Sequence, residues 1–487
     1  MGLEPAPASP ANTNPVMSRN PFIHPYIPNA EPGVKAEMLE AVGASDIEEF
    51  YADIPSELRY QGLLDLPPAI TSEAGLERHI RELLARNQTC EENLSFLGAG
   101  CYRHHVPAVC DEINSRGEFL TAYAGQTYTD HGKFQALFEY ASMMGELLNM
   151  DVVNVPTYDG YQAAATALRM AARITGRDRA LLAGTLAPER LSKFRDYCRP
   201  DLELVLLDYD PLSGQMSLAS LEAALDDRVA AVYFENPSYL GFLETQVEGI
   251  VEISRDHGAL VVVNVNPISL GVLAPPADYG ADIVCGDLQP LGIHMQFGGG
   301  HGGFIATRDD PTFVMEYPSR LYGIAPTQTP GEFGFGDVAF ERTSFAHRDH
   351  AREFTGTAAN LWAITAGVYL ALMGPQGMAE LGESIMTRAA YAMRRLDALP
   401  GVRAPYFRAP HFNEFVVNFD ESGKTVQQIN RALREHGIFG GKDLSREFPE
   451  LGQSALYCVT ELHSQADIDR LVDTLSVILA PSISSTP

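Results

Sequence analysis

The sequence predicts an α/β protein with a large domain built on a mainly parallel sheet, followed by a small C-terminal α+β domain. Three observations carry this. Short apolar runs recur at Ala180–Ala183, Leu204–Leu207, Ala231–Phe234, Leu260–Val263, Ile283–Cys285 and Phe304–Ala306. These runs do not alternate with polar residues, so they read as strands buried on both faces, the pattern of a parallel sheet covered by helices. Helical stretches such as Tyr161–Arg173 and Val247–His257 separate the runs. The tail then mixes strand candidates, Asn413–Phe419 and Leu456–Thr460, with amphipathic helices.

The elements follow in chain order. Residues 1–20 are rich in Pro, Ala, Ser and Asn and read as a disordered arm. Residues 21–90 read as a helical N-terminal arm wrapped around a core or a partner; Ile47–Leu58 is broken at Pro55, and Leu76, Ile80, Leu83 and Leu84 share one helical face. The large domain spans residues 91–330. Residues 331–376 combine an irregular, Gly-, Pro- and Thr-rich connection with a long helix near Ala358–Met373. The small domain covers residues 377–481, opening with a helix near Gly377–Leu396, and residues 482–487 form a tail. In it, Val426, Ile429 and Leu433 lie on one helix, and Ile468, Leu471, Val472 and Leu475 lie on another that opens with the cap-like Ser464-x-x-Asp467.

Composition narrows the function. The 487 residues are 45% hydrophobic and 20% charged, enough to bury a large core. Lys and Arg total 35 against 63 Asp and Glu, a formal charge of −28, so there is no basic footprint for nucleic acid or an anionic membrane. No apolar run reaches the roughly 18 residues of a spanning helix. The N-terminal segment lacks the basic start and apolar core of a secretory signal, and its first Arg is Arg19. Six dispersed cysteines without a C-x-x-C pair fit reduced thiols. A cytoplasmic protein is expected.

The most informative segment is 278–307, DYGADIVCGDLQPLGIHMQFGGGHGGFIAT, which reads strand, polar turn, Gly-rich loop, strand. It resembles the segment that carries the Schiff-base lysine in pyridoxal-phosphate (PLP) enzymes of the aspartate-aminotransferase fold. The turn here carries Gln289, and an amide cannot form an imine. The chain has five lysines, Lys35, Lys133, Lys193, Lys424 and Lys442, and none follows a buried strand before a Gly-rich loop. Lys133 alone is a conceivable substitute, in a helix-opening context that is wrong for the role. PLP also needs a carboxylate beneath its ring nitrogen. The candidate strand LVVVNVNPISLG offers Asn264 and Asn266 instead.

Other motifs keep two readings. Gly298–Gly303 could cradle a phosphate or form a tight turn, and it leads into a strand rather than a helix. Thr157-Tyr158-Asp159-Gly160 precedes a helix and is a better-placed anion site, unless Asp159 simply caps it. Cys101, His104 and His105, and separately His347, Asp349 and His350, match no zinc signature and read as loop or solvated positions. No metal site is expected.

Several long segments in order resemble the P-protein of the glycine cleavage system, in particular the alpha subunit (subunit 1) of its two-subunit form. They include YIPNAEPGVKAEMLEAVGASDIEEFYADIPSELR, SFLGAGCYRHHVPAVCDEI, FQALFEYASMMGELLNMDVVNVPTYDG, FENPSYLG, GADIVCGDLQPLGIHMQFGG, VYLALMGPQGM, FNEFVVNF and GIFGGKDL. The resemblance runs from about Asn20 to Leu479 and implies the PLP-dependent transferase fold, type I. It implies a chain that lacks the Schiff-base lysine, with Gln289 at that position, binds no cofactor covalently and is inactive alone. A PLP-bearing beta subunit would decarboxylate glycine as part of glycine dehydrogenase (decarboxylating) and pass the aminomethyl group to the lipoyl H-protein. An alpha2-beta2 heterotetramer is the implied assembly, with this chain completing and shielding the active site.

The sequence departs from that pattern after Thr121-Ala122-Tyr123, at Asn266, at Gly300–Gly303 and in HRDHAREFTGTAANLW. Two substrates therefore stay open: glycine, or another small amine or amino acid handled by a paralogous complex. Tyr102, His104, Tyr123, Gln126, Tyr128 and His131, on two loops before the first clear helix of the large domain, are candidates for a shared site or interface. Asn236 and Pro237 join them because they follow a strand end, where ligands gather in open α/β sheets.

Overall fold

A computed structural model describes residues 23, 26–60, 64–120, 131–199, 201–298, 301–338, 342–356 and 358–480. Tyr123, Gln126 and Tyr128 lie outside them. The chain divides into two units, residues 1–87 and 88–487. The first contains α1 (Pro32–Ala41), α2 (Glu73–Leu84) and short 3-10 turns at Ile47–Tyr51 and Ser56–Leu58, the segment broken at Pro55. Ser72 caps α2, its Oγ accepting Gly75 N at 3.1 Å.

The second unit begins with β1 (Leu94–Ser95), α3 (Ala108–Asn114) and α4 (His131–Leu148). Then come β2 (Val152–Val153), α5 (Gly160–Thr175), β3 (Arg179–Ala183), α6 (Pro188–Tyr197), β4 (Glu203–Leu207) and α7 (Leu218–Ala224). β5 (Val229–Glu235), α8 (Val247–Asp256), β6 (Leu260–Val265), β7 (Ile283–Asp287) and β8 (Gly303–Thr307) complete the main sheet, in the order β2-β8-β7-β6-β5-β3-β4. Strands β4, β3, β5, β6 and β7 run parallel, and β8 and β2 continue antiparallel. Every residue of β5 and β8 is buried, because helices pack on both faces and leave no solvated side to encode as alternation.

A four-residue helix, α9 (Pro311–Val314), leads to a hairpin of β9 (Tyr322–Pro326) and β10 (Phe333–Asp337). The irregular connection read at the start of residues 331–376 holds β10, whose Gly-rich sequence carries weak strand propensity. The separate helices read at 358–373 and 377–396 are both present, as the two halves of α10 (Asn360–Asp397), which meet at a non-helical residue. It breaks at Gly374, which has φ 59°, just before Pro375, which has no N–H to donate. The C-terminal part follows: β11 (Glu414–Asn418), α11 (Val426–Glu435), β12 (Ile438–Phe439), β13 (Lys442–Asp443), β14 (Ser454–Cys458) and α12 (Gln465–Leu479). β11, β14 and β13 form an antiparallel sheet, and β12 pairs in parallel with β1. The capping box read at Ser464-x-x-Asp467 is present. Among the described residues no helix is long and apolar enough to cross a membrane.

Candidate functional site

The parallel strands end together, and the residues just beyond them open a cavity of about 480 Å³. Its wall includes Pro237, Ser238 and Tyr239 after β5, Asn264 to Pro267 at the end of β6, Asp287 and Pro290 around the end of β7, and Gly298 and His301 before β8. The N-terminus of α5, the 99–102 loop, Trp362 on α10 and Asn413 and Glu414 from the C-terminal sheet close it. This is the expected place for a ligand in an open α/β sheet.

Glycines fix the approach at two points. A Cβ on Gly160 would lie 2.9 Å from Asp287 Cβ, and one on Gly303 would lie 2.0 Å from Asp159 O. The first turn of α5 can therefore press against β7 and β8. Two carboxylates occupy that helix end. Asp159 accepts Gln162 N at 2.7 Å, so the capping reading of this motif is the observed one. Asp287 accepts Gly160 N at 2.9 Å and Gln289 N at 2.8 Å. Burial pushes Asp287 up, opposed by His301, whose Nδ1 stands 3.8 Å away, and by these two N–H donors.

On the other side, Arg190 Nε meets Glu235 Oε1 at 3.1 Å, and Arg190 donates to Tyr233 Oη at 2.7 Å. Its guanidinium lies 4.9 Å from the Tyr161 ring centroid. Burial raises Glu235 while Arg190 holds it down. Glu414 accepts the N–H groups of Ala99 at 2.6 Å and Gly100 at 3.2 Å. Burial outweighs these bonds and pushes Glu414 up to about 8.

The residues expected from sequence divide into those on the cavity wall and those away from it. Tyr102 and Pro237 line it. Tyr102 Oη accepts Asn266 Nδ2 at 3.0 Å. Asn236 instead braces the loop after β5, exchanging bonds with the backbone of Glu244 at 3.3 and 3.2 Å. His104 turns to Glu461, with Nδ1 to Oε2 at 2.8 Å, away from the wall. Burial raises Glu461, but the bond and charge of His104 hold it below its ordinary value. His131 opens α4. The loops carrying these candidates do not both precede the first helix, since α3 lies between them. Sequence reasoning missed Asp287, Glu235, Arg190 and Glu414. Asp287 and Glu235 are the last residues of β7 and β5, just past the apolar runs Ile283–Cys285 and Ala231–Phe234, a signal that could have found them.

Gln289 is buried behind the wall. Its Nε2 donates to Ile293 O at 3.0 Å, and its Oε1 has no partner among the described residues. The family reading raises PLP, and the residues present do not fit it. A phosphate at α5 would meet Asp159 and Asp287, which already take the N–H donors that would hold it. Both amide atoms of Asn266 are engaged, Nδ2 with Tyr102 and Oδ1 with Ile268 N at 3.0 Å, and neither Asn264 nor Asn266 brings a charge. Among the described lining residues of the cavity there is no lysine; Lys133 lines a neighbouring recess with Phe119 and Trp362. Lys442 Nζ is held by Tyr239 Oη at 2.8 Å and Glu447 at 3.0 Å. Among the described residues no cluster of three His, Cys, Asp or Glu can hold a metal.

A family model for the glycine cleavage system P-protein matches residues 24–475. The chain belongs to the glycine cleavage system P-protein family. A probable glycine dehydrogenase (decarboxylating) subunit 1 from Staphylothermus marinus is 37% identical over 94% of this chain and 98% of its own length. One of the same description from Carboxydothermus hydrogenoformans is 39% identical over 92% of this chain and 99% of its own length. Among solved structures, a glycine decarboxylase (P-protein) in inhibitor-bound form superposes with a TM-score of 0.80 at 34% identity, covering 95% of this chain and all of that one. A sphingosine-1-phosphate lyase from Burkholderia pseudomallei, at 16% identity and a TM-score of 0.62 over 88% of this chain and 94% of its own, shares the fold. As a P-protein family member, the chain has the type I PLP-transferase architecture.

Proposed function

We propose that this chain is the non-catalytic alpha subunit of a two-subunit, PLP-dependent glycine decarboxylase. The observation that carries the reading is Gln289: an amide on the turn after β7, tied to Ile293 O, where the resemblance puts the cofactor-binding lysine. The filled end of α5 and the neutral Asn266 agree with it. PLP then belongs to a beta-type partner, which decarboxylates glycine and passes the aminomethyl group to the lipoyl H-protein. This chain pairs with beta in an alpha2-beta2 assembly and helps exclude water from the partner's reacting centre. Candidate contacts are Tyr123, Gln126, Tyr128 and His131.

The test is co-expression with the beta-type chain, followed by an absorbance scan of each purified chain and a glycine–bicarbonate exchange assay. Exchange that needs both chains, with PLP retained by beta alone, is the expected result. A stable PLP-containing complex without glycine exchange would move the substrate to another small amine or amino acid. Covalent PLP on this chain alone would overturn the proposal.

A further inference from the structure

The first unit is ordered locally but encloses nothing. Its elements are closed by their own side chains. Glu31 accepts Val34 N at 2.8 Å at the start of α1, Ser72 caps α2, and Asp46 and Glu49 form a capping box on the turn at Ile47–Tyr51. Yet neither α1 nor α2 nor the turns at Ile47–Tyr51 and Ser56–Leu58 bury a residue. Such a segment has no core of its own, and a helix of 12 residues is marginal unless its apolar face packs on something.

In α2 that face is Leu76, Ile80, Leu83 and Leu84, each between 42% and 59% exposed. The Glu77–Arg81 ion pair, at 2.7 Å, belongs to the polar side. The rest of the arm repeats the pattern. Nineteen of the thirty-three exposed large hydrophobic side chains among the described residues lie between Ile23 and Leu84. At about half exposure and about 150 Å² each, they present on the order of 1,400 Å². A stable interface takes about 800 Å² from each partner, and the largest apolar patch on a monomer is about 300–600 Å². Charge decides between occupants. Residues 1–87 carry thirteen Asp and Glu against six Lys and Arg, and the whole chain carries −28. A second copy would set like charge against like charge around these side chains, which slows encounter and costs affinity.

We infer that the described residues from Ile23 to Leu84 form a docking arm anchored by α2, and that the beta-type partner covers its apolar side with an apolar groove rimmed by Lys or Arg. The inference rests on the subunit reading above and adds to it the surface by which this chain holds beta.

The experiment uses the full chain with beta. Ile80→Glu combined with Leu83→Glu should weaken the complex at least about 100-fold in a sedimentation titration, with circular dichroism and thermal midpoint of the isolated chain unchanged. Arg78→Gln, on the opposite side of α2, should change the affinity less than about 3-fold. Hydrogen exchange of the α2 amides should be fast in the isolated chain and slowed at least about 10-fold by beta. Added salt should slow association while the complex persists. The inference is overturned by a double variant that binds beta as tightly as wild type, by α2 amides already protected in the isolated chain, by self-association of the isolated chain that the double variant abolishes, or by association that salt does not slow. A wild-type chain that fails to bind beta would remove the subunit reading and this inference together. A wild-type chain and a double variant that bind beta equally would remove this inference alone.

Discussion

Replacing Glu414 by Gln should flatten the pH dependence of stability. Glu414 sits at the start of β11, 5% exposed, with Ala99 and Gly100 N–H groups on its Oε1. Burial raises its pKa from 4.5 to about 8, with the negative field of Glu235 adding to the effect and Lys442 opposing it. The folded chain thus holds a proton that the unfolded chain releases, and the sign follows. This contribution is fully present below 4.5 and is lost as the pH rises through about 8. Stability should fall by about 1.4 kcal/mol per pH unit across that window, on the order of 5 kcal/mol in all. Gln has the shape of the protonated acid, and its Oε1 can accept the same two N–H groups. Urea unfolding of the full chain at about pH 5 and about pH 8.5 reads the difference. Wild type and Glu414→Gln should agree within about 1 kcal/mol at the lower pH, and the variant should be several kcal/mol more stable at the higher one. A constant gap between the two proteins at both pH values would refute the reasoning, because it would mean that Glu414 is ionised in the folded chain throughout.

Three further outcomes follow from the same cavity. Arg190→Met leaves Glu235 buried without its cation and should cost about 3–5 kcal/mol in chemical denaturation, with much of the loss recovered when Glu235→Gln is added. Gly160→Ala puts a methyl group 2.9 Å from Asp287 Cβ and 3.0 Å from Asp287 N, so it should cost about 1–3 kcal/mol, read as a lower thermal midpoint. Gln289→Lys should not confer covalent PLP binding on the isolated chain, measured by absorbance and by mass after reduction, because Asp159 and Asp287 still occupy the end of α5.

Much of the fold was legible because burial of the sheet is written locally. The six apolar runs lie within β3 to β8, extended by one or two residues at their ends. The hairpin was not legible: Phe333-Gly334-Phe335-Gly336 has two glycines in five residues of β10, and only pairing with β9 makes it a strand. The break within α10 was legible, since Gly374-Pro375 is an ordinary stop signal and Gly374 is non-helical with φ 59°. At the site, the replacement of lysine by Gln289 and the two asparagines of β6 could be read directly, because a functional group is a property of residue type.

By itself the sequence determined the α/β class, the chemistry that the turn after β7 lacks, and the family to which the chain belongs. Only the tertiary structure decided that Asp287 shares the end of α5 with Asp159, that Glu414 reaches the 99–100 backbone from a position 314 residues along the chain, and that Arg190 is already paired. It also turned His104 toward Glu461 and Asn236 toward its own loop. The reason is physical. Hydrophobic periodicity and side-chain identity are local properties, whereas charge pairing and desolvation depend on which distant groups the closed sheet brings within a few ångströms.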